Sequence, residues 1–163
     1  MFALRFVYVL ALVVWVGGMA VLGGIVAPSV FEVLQSRDPA QGRALAGAVF
    51  GESLRRFSWV AYGAGAAMIG SLAAMALVGP RPRGFSPRLV IVAAMLAVAL
   101  YSGFVLTARI ARLQASVPGQ MQDLAAGDPR RVAFGRAHGL STTLMLANLV
   151  GGLALLVWEA REH

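Results

Sequence analysis

Four stretches of this sequence carry no fixed charge: Phe6 to Phe31, Phe57 to Pro80, Leu89 to Ala108 and Ala137 to Trp158, each at least twenty residues long. A helix of that length rises about 30 Å, which is the thickness of a bilayer's hydrocarbon core. Lipid offers backbone N–H and C=O groups no hydrogen-bonding partner, so an apolar segment inside it must satisfy them within itself, as a helix does. The runs therefore predict an all-α fold: an integral membrane four-helix bundle in a single domain, with spans at about 5–27, 57–79, 88–110 and 134–158.

Composition agrees with that reading. Hydrophobic residues make up 59% of the chain and charged ones 13%, far from the balance of a water-soluble domain. The formal charge is +7, and every one of the fourteen basic residues is Arg. In a soluble protein such a charge points to nucleic acid, but these arginines stand between and beside apolar runs, as membrane-flanking charges do. The bilayer is the expected partner, and nucleic acid is not. With no Cys in the chain, disulfides, thiolate metal sites and thiol nucleophiles are excluded. The first apolar run is longer than the core of a secretory signal, which marks it as an uncleaved span.

Three dipeptides, Asp38-Pro39, Ser86-Pro87 and Asp128-Pro129, each place a capping side chain before a proline suited to the first turn of a helix. Helices starting near Pro39 and Pro129 begin well before their apolar runs. The third continues through Arg109 and Arg112 until Pro118, and the first runs past Pro28 to about Leu34. The bundle is thus expected to extend beyond the bilayer on one side, as a helical collar of about residues 28–56 and 109–136, with Gly51 a candidate kink in the second helix. The collar holds nine arginines against five at the other end. By the positive-inside tendency it faces the cytoplasm, with both termini outside, and a bacterial inner membrane is the expected location.

The last run carries the polar residues His138, Ser141, Thr142 and Asn148. At 100° per residue these and Met145 fall within an arc of about 120°, predicted to turn toward the bundle interior, where polar groups find partners. His138 is the candidate ligand for a metal or haem iron, with the thioether of Met145 as a soft second donor; hydrogen bonding to a carboxylate such as Glu32 or Glu52 is the structural alternative. Ser141, Thr142 and Asn148 suit either a ligand or interhelical hydrogen bonds. Tyr8 and Trp15 lie seven apart on one face of the first span, and Arg56 and Glu32 complete the candidate binding set. Glycines in the first, second and last spans supply small surfaces for close helix packing. No nucleophile elbow, phosphate loop, dinucleotide fingerprint or paired-carboxylate arrangement is present, so the parts of common enzymes are missing.

Trp15-Val-Gly-Gly18, Ala27-Pro-Ser-Val-Phe-Glu-Val-Leu34 and Phe134-x-x-x-His138-Gly-x-Ser141 followed by Asn148 resemble the four-span family named after human transmembrane protein 205, whose bacterial members carry a domain of unknown function. The resemblance implies a helical integral membrane protein without an agreed activity. Trp15-Val-Gly-Gly18 and Arg56-Phe-Ser-Trp-Val-Ala61 are also similar to copper-resistance D type membrane proteins and to haem-containing membrane protoporphyrinogen oxidases. Those families place a histidine seven residues before the tryptophan, where this chain has Tyr8. Three functions follow as expectations: handling or transport of a small solute or of a metal ion such as copper, a haem-binding redox role, or service as a structural or assembly subunit in a homo-oligomer or with a membrane partner.

Overall fold

In a computed structural model, which describes residues 2–79 and 84–161, four long helices account for most of the chain. They are α1 (Phe2–Arg37), α2 (Gly42–Val78), α3 (Phe85–Ala115) and α4 (Pro129–Arg161), and each is long and apolar enough to cross a membrane. α1 packs on α2, α2 on α3, α3 on α4 and α4 back on α1, which closes an antiparallel ring. This is the expected all-α membrane bundle. Part of the Gly79 to Pro87 connection, with Arg81 and Arg83, lies outside the described residues, as does His163.

The punctuation in the sequence is read correctly at one start and is displaced at two. α4 begins at Pro129, and the Asp128 carboxylate accepts the Arg130 N–H at 2.8 Å. The Arg130 guanidinium on the same carboxylate, and then that N–H, push the Asp128 pKa down to about 2. α2 begins at Gly42 instead of Pro39. Asp38 still acts as a cap, accepting the N–H groups of Ala40 at 3.0 Å and Gln41 at 2.9 Å, but over a tight turn. The reversal brings Gly42 against the end of α1, where a Cβ would stand 2.0 Å from the Leu34 carbonyl oxygen, so only glycine lets the hairpin close. α3 starts two residues before Pro87, after Gly84 with φ of 66°, a left-handed conformation that glycine tolerates without a Cβ clash. Gly51 leaves α2 unbroken.

Two helices carry a π-helical turn at similar heights, Leu22–Val26 in α1 and Ser102–Leu106 in α3. In α1 it ends two residues before Pro28. Proline lacks the N–H and crowds the carbonyl four residues back, and one wider turn relieves both defects without breaking the helix. In α3 it lies where α2 comes close: a Cβ on Gly103 would stand 1.9 Å from the Tyr62 hydroxyl. That hydroxyl donates to the Ala99 carbonyl at 3.4 Å, and Thr107 returns its hydroxyl to the Ser102 carbonyl at 3.0 Å.

The segments expected to overhang form two hairpins. Residues 27–37 pack on α2, and residues 107–115 pack on α4. The Gln120 side chain joins their loops by donating to the Ala40 carbonyl. Below, the bundle interior is filled by Tyr8, Leu12 and Trp15 from α1, Met68 and Leu72 from α2, Val92 and Met95 from α3 and Leu155 from α4. Because lipid tails are as apolar as these side chains, close packing holds the helices together, and inward glycines permit it. A Cβ on Gly152 would stand 2.4 Å from Val16, and one on Gly65 would stand 2.9 Å from both Trp15 and Leu96. Gly17 faces outward with nothing within 4 Å. Gly152→Leu is therefore expected to destabilise the bundle by about 1–3 kcal/mol or more through overpacking. Gly17→Leu should leave the thermal unfolding midpoint of the detergent-solubilised protein nearly unchanged.

Candidate functional site

The predicted polar stripe on α4 divides along its length. Asn148 is buried, and its side-chain amide donates to the Met95 carbonyl of α3 at 3.2 Å, in the middle of the packed core. Ser141 and Met145 are half-buried, the Met145 methyl lying over Gly23 of α1. Contrary to the expected inward orientation, His138 and Thr142 are exposed. The arc is wide, and only the edge that carries Asn148 is buried against the other helices, while the opposite edge, with His138 and Thr142, turns outward. Thr142 needs no interhelical partner because its hydroxyl donates to the His138 carbonyl at 3.1 Å, one turn back on its own helix. His138 stacks on Phe134, with ring centroids 6.0 Å apart and planes 6° from parallel.

The other candidate residues scatter. Tyr8 and Trp15 share the inner face of α1, as their spacing requires, and both are buried. Glu32 is exposed on the collar. Arg56 is also exposed and reaches Glu52 at 2.8 Å, while Arg55 approaches the same carboxylate at 2.7 Å. Glu52 is thereby engaged within its own helix. His138 lies about 34 Å along α4 from the end that Tyr8 adjoins, so the two stand near opposite ends of the bundle and share no ligand. Among the described residues, no three His, Asp or Glu side chains converge as metal ligands.

The residue that sequence reasoning missed is Glu159. It closes the last turn of α4 and is only 6% exposed. One carboxylate oxygen accepts Arg5 of α1, from Nε at 3.2 Å and from Nη2 at 2.9 Å. The other lies 2.6 Å from Nη1 of Arg88 in α3, and Arg88 is only 3% exposed. The Arg88 guanidinium also sits 5.5 Å from the centre of the Trp158 ring. Trp158 in turn covers Gly84, where a Cβ would stand 2.3 Å from the ring. Three helices, α1, α3 and α4, thus converge on one carboxylate. The signal was available in the sequence: Glu159 is the one acidic residue immediately after the last apolar run, and Arg5 and Arg88 immediately precede two others. Flanking charges normally reach for headgroups and water, and only the tertiary fold turns these inward.

Chemically the cluster is a clamp. A buried pair repays its desolvation only when both partners remain, so removing one leaves a charge without compensation. Glu159→Gln is expected to cost about 3–5 kcal/mol. The double change Glu159→Leu with Arg88→Leu should recover part of that loss, as read from thermal unfolding in detergent and a double-mutant cycle.

Comparison with known proteins locates the chain by family. No curated protein and no solved structure shows significant similarity to it. The profile of a domain of unknown function (DUF4149) matches residues 10–117, covering α2 and α3 entirely together with most of α1. The matched region includes Trp15, the Pro28 π turn and Arg88, and ends before α4 supplies Asn148 and Glu159. With most of its length matched and four apolar helices packed as one membrane bundle, the chain belongs to the DUF4149 family.

Proposed function

We propose that this protein is a non-enzymatic membrane assembly subunit, in which the outer face of α2 receives a further transmembrane helix from a second copy or from a partner protein. The observation that carries this reading is a second small-residue face on α2. Gly63, Ala66, Gly70 and Ala73 fall within about 80° of one another around the helix, and all four are exposed. A Cβ on either Gly63 or Gly70 would meet nothing within 4 Å. Inward glycines of the same helix, such as Gly65, already serve packing within the bundle. A face that met only lipid would gain contact from large side chains, as α1 does with Phe6, Leu10 and Val13. Small residues instead let another backbone approach closely.

The filled interior supports assembly over permeation. Trp15, Leu12, Met68, Leu72 and Val92 occupy the axis where a path would run, and Asn148 is committed to an interhelical hydrogen bond. Handling of a small solute is the second reading, favoured by one feature, a groove of about 500 Å³ at the collar that contains Arg109 and Arg136. The copper- and haem-protein likenesses of the first two spans do not enter either reading.

The double variant Gly63→Leu with Gly70→Leu tests the assembly role. Leucine is the better helix former, so loss of association is not a consequence of weaker helix formation. Cross-linking and mass measurement in native nanodiscs are expected to give a discrete complex for the wild type and an association weakened about tenfold or more for the variant. A wild-type protein that is solitary in its native membrane, or a variant that associates equally well, would refute the proposal.

Orientation follows from charge. The nine collar arginines exceed the five at the other end, which supports a cytoplasmic collar and external termini in a bacterial inner membrane. The native chain lacks Cys, so a single Ser116→Cys label in the exposed collar loop reports topology directly. It is expected to resist an impermeant thiol reagent in intact cells and to react once the membrane is opened.

A further inference from the structure

We infer that the groove between α3 and α4 at the collar binds the phosphate headgroup of an anionic phospholipid, with Arg109 and Arg136 as its two cationic arms. The groove holds about 500 Å³, and its walls combine these arginines with Leu106, Val132, Ala137 and Leu140. Leu106 and Ala137 are buried in its floor, whereas both arginines are exposed. The lining is therefore amphipathic, apolar below and cationic above.

Depth points to the occupant. The close contact between Arg88 and Glu159 marks a common level at the far end of α3 and α4. Counting along each helix from that contact, Arg109 and Arg136 both lie roughly 30–35 Å away, so they stand level with each other and about one hydrocarbon thickness from the clamp. Headgroup phosphates occupy that depth, and the first methylenes of the acyl chains lie just beneath. The exposed rings of Trp59 and Phe104, in edge contact 6.3 Å apart, belong near the same boundary, where aromatic belts sit.

Charge distinguishes these arginines from three others in the collar. Arg55 and Arg56 share Glu52, and Arg130 is paired with Asp128 at 2.8 Å. Asp128 stands between two lining residues, Gly127 and Pro129, but its carboxylate is held by Arg130 and is ionised throughout the physiological range. Among the described residues, Arg109 and Arg136 have no carboxylate within ion-pairing distance. Guanidinium forks suit the oxygens of a phosphate, and each arginine near an anionic surface adds to the attraction. The groove is separate from the α2 assembly face, which lies on a different helix.

The test uses the full-length protein in detergent, titrated with phosphatidylglycerol or phosphatidylcholine and read by native mass spectrometry of bound lipid. Wild-type protein is expected to retain phosphatidylglycerol about tenfold better than phosphatidylcholine. Arg109→Gln with Arg136→Gln should abolish that preference. Arg37→Gln with Arg43→Gln, which changes collar arginines outside the groove, should preserve it. Circular dichroism controls for folding, and Arg109→Lys with Arg136→Lys should retain most of the preference. Equal retention of the two lipids by the wild type, or an undiminished preference in the groove variant, overturns the proposal. Displacement of bound phosphatidylglycerol by millimolar inorganic phosphate would assign the site to a free anion and also overturn it.

Discussion

A hydrocarbon surrounding that can neither donate nor accept a hydrogen bond is the constraint on which the rest of this structure depends. Four helices are one consequence, since each satisfies its own backbone. The treatment of every polar side chain inside the bundle is another. Asn148 finds the Met95 carbonyl across the interface, and Tyr62 finds the Ala99 carbonyl beside a widened turn. Thr142 and Thr143 bond back to carbonyls of their own helix, which frees them to face outward. Each arrangement answers the same requirement in a different way, so polarity alone does not disclose which way a side chain points.

The two ends of the bundle meet charge differently. At the end with the termini, Arg5, Glu159 and Arg88 are drawn into the protein, and the Trp158 ring lies over the guanidinium. Such a clamp adds orientation more than net stability, because the desolvation of three ions offsets much of their attraction. It fixes which ends of α1, α3 and α4 meet. At the collar, by contrast, ion pairs are local and exposed, made within α2 or at the first turn of α4. Local pairs leave the collar hairpins free of cross-links of that kind and leave arginines available to other anions.

Small residues give the helices two kinds of surface. Inward, Gly18, Gly65 and Gly152 meet aromatic and branched side chains at distances a methyl group would not allow. Outward, Gly63 and Gly70 face open space. Packing explains the first set completely. The second has no packing partner within the bundle, which is the basis for the proposed association with another helix.

Sequence alone determined the number of helices, their capacity to cross a membrane and their continuation past the apolar runs, because those properties follow from runs of uncharged residues and from proline and cap placement, which are local. It also placed Tyr8 and Trp15 on one face, since helical periodicity is local too. The tertiary structure decided what periodicity cannot: that only the Asn148 edge of the α4 stripe is buried, leaving His138 outside, and that Glu159, which the sequence places as a flanking charge, is enclosed by Arg5 and Arg88 from helices distant in sequence. A side chain's neighbours depend on how helices rotate about their own axes when they pack. That rotation is fixed by the sum of contacts such as Gly152 on Val16 and Gly84 under Trp158, not by any one segment.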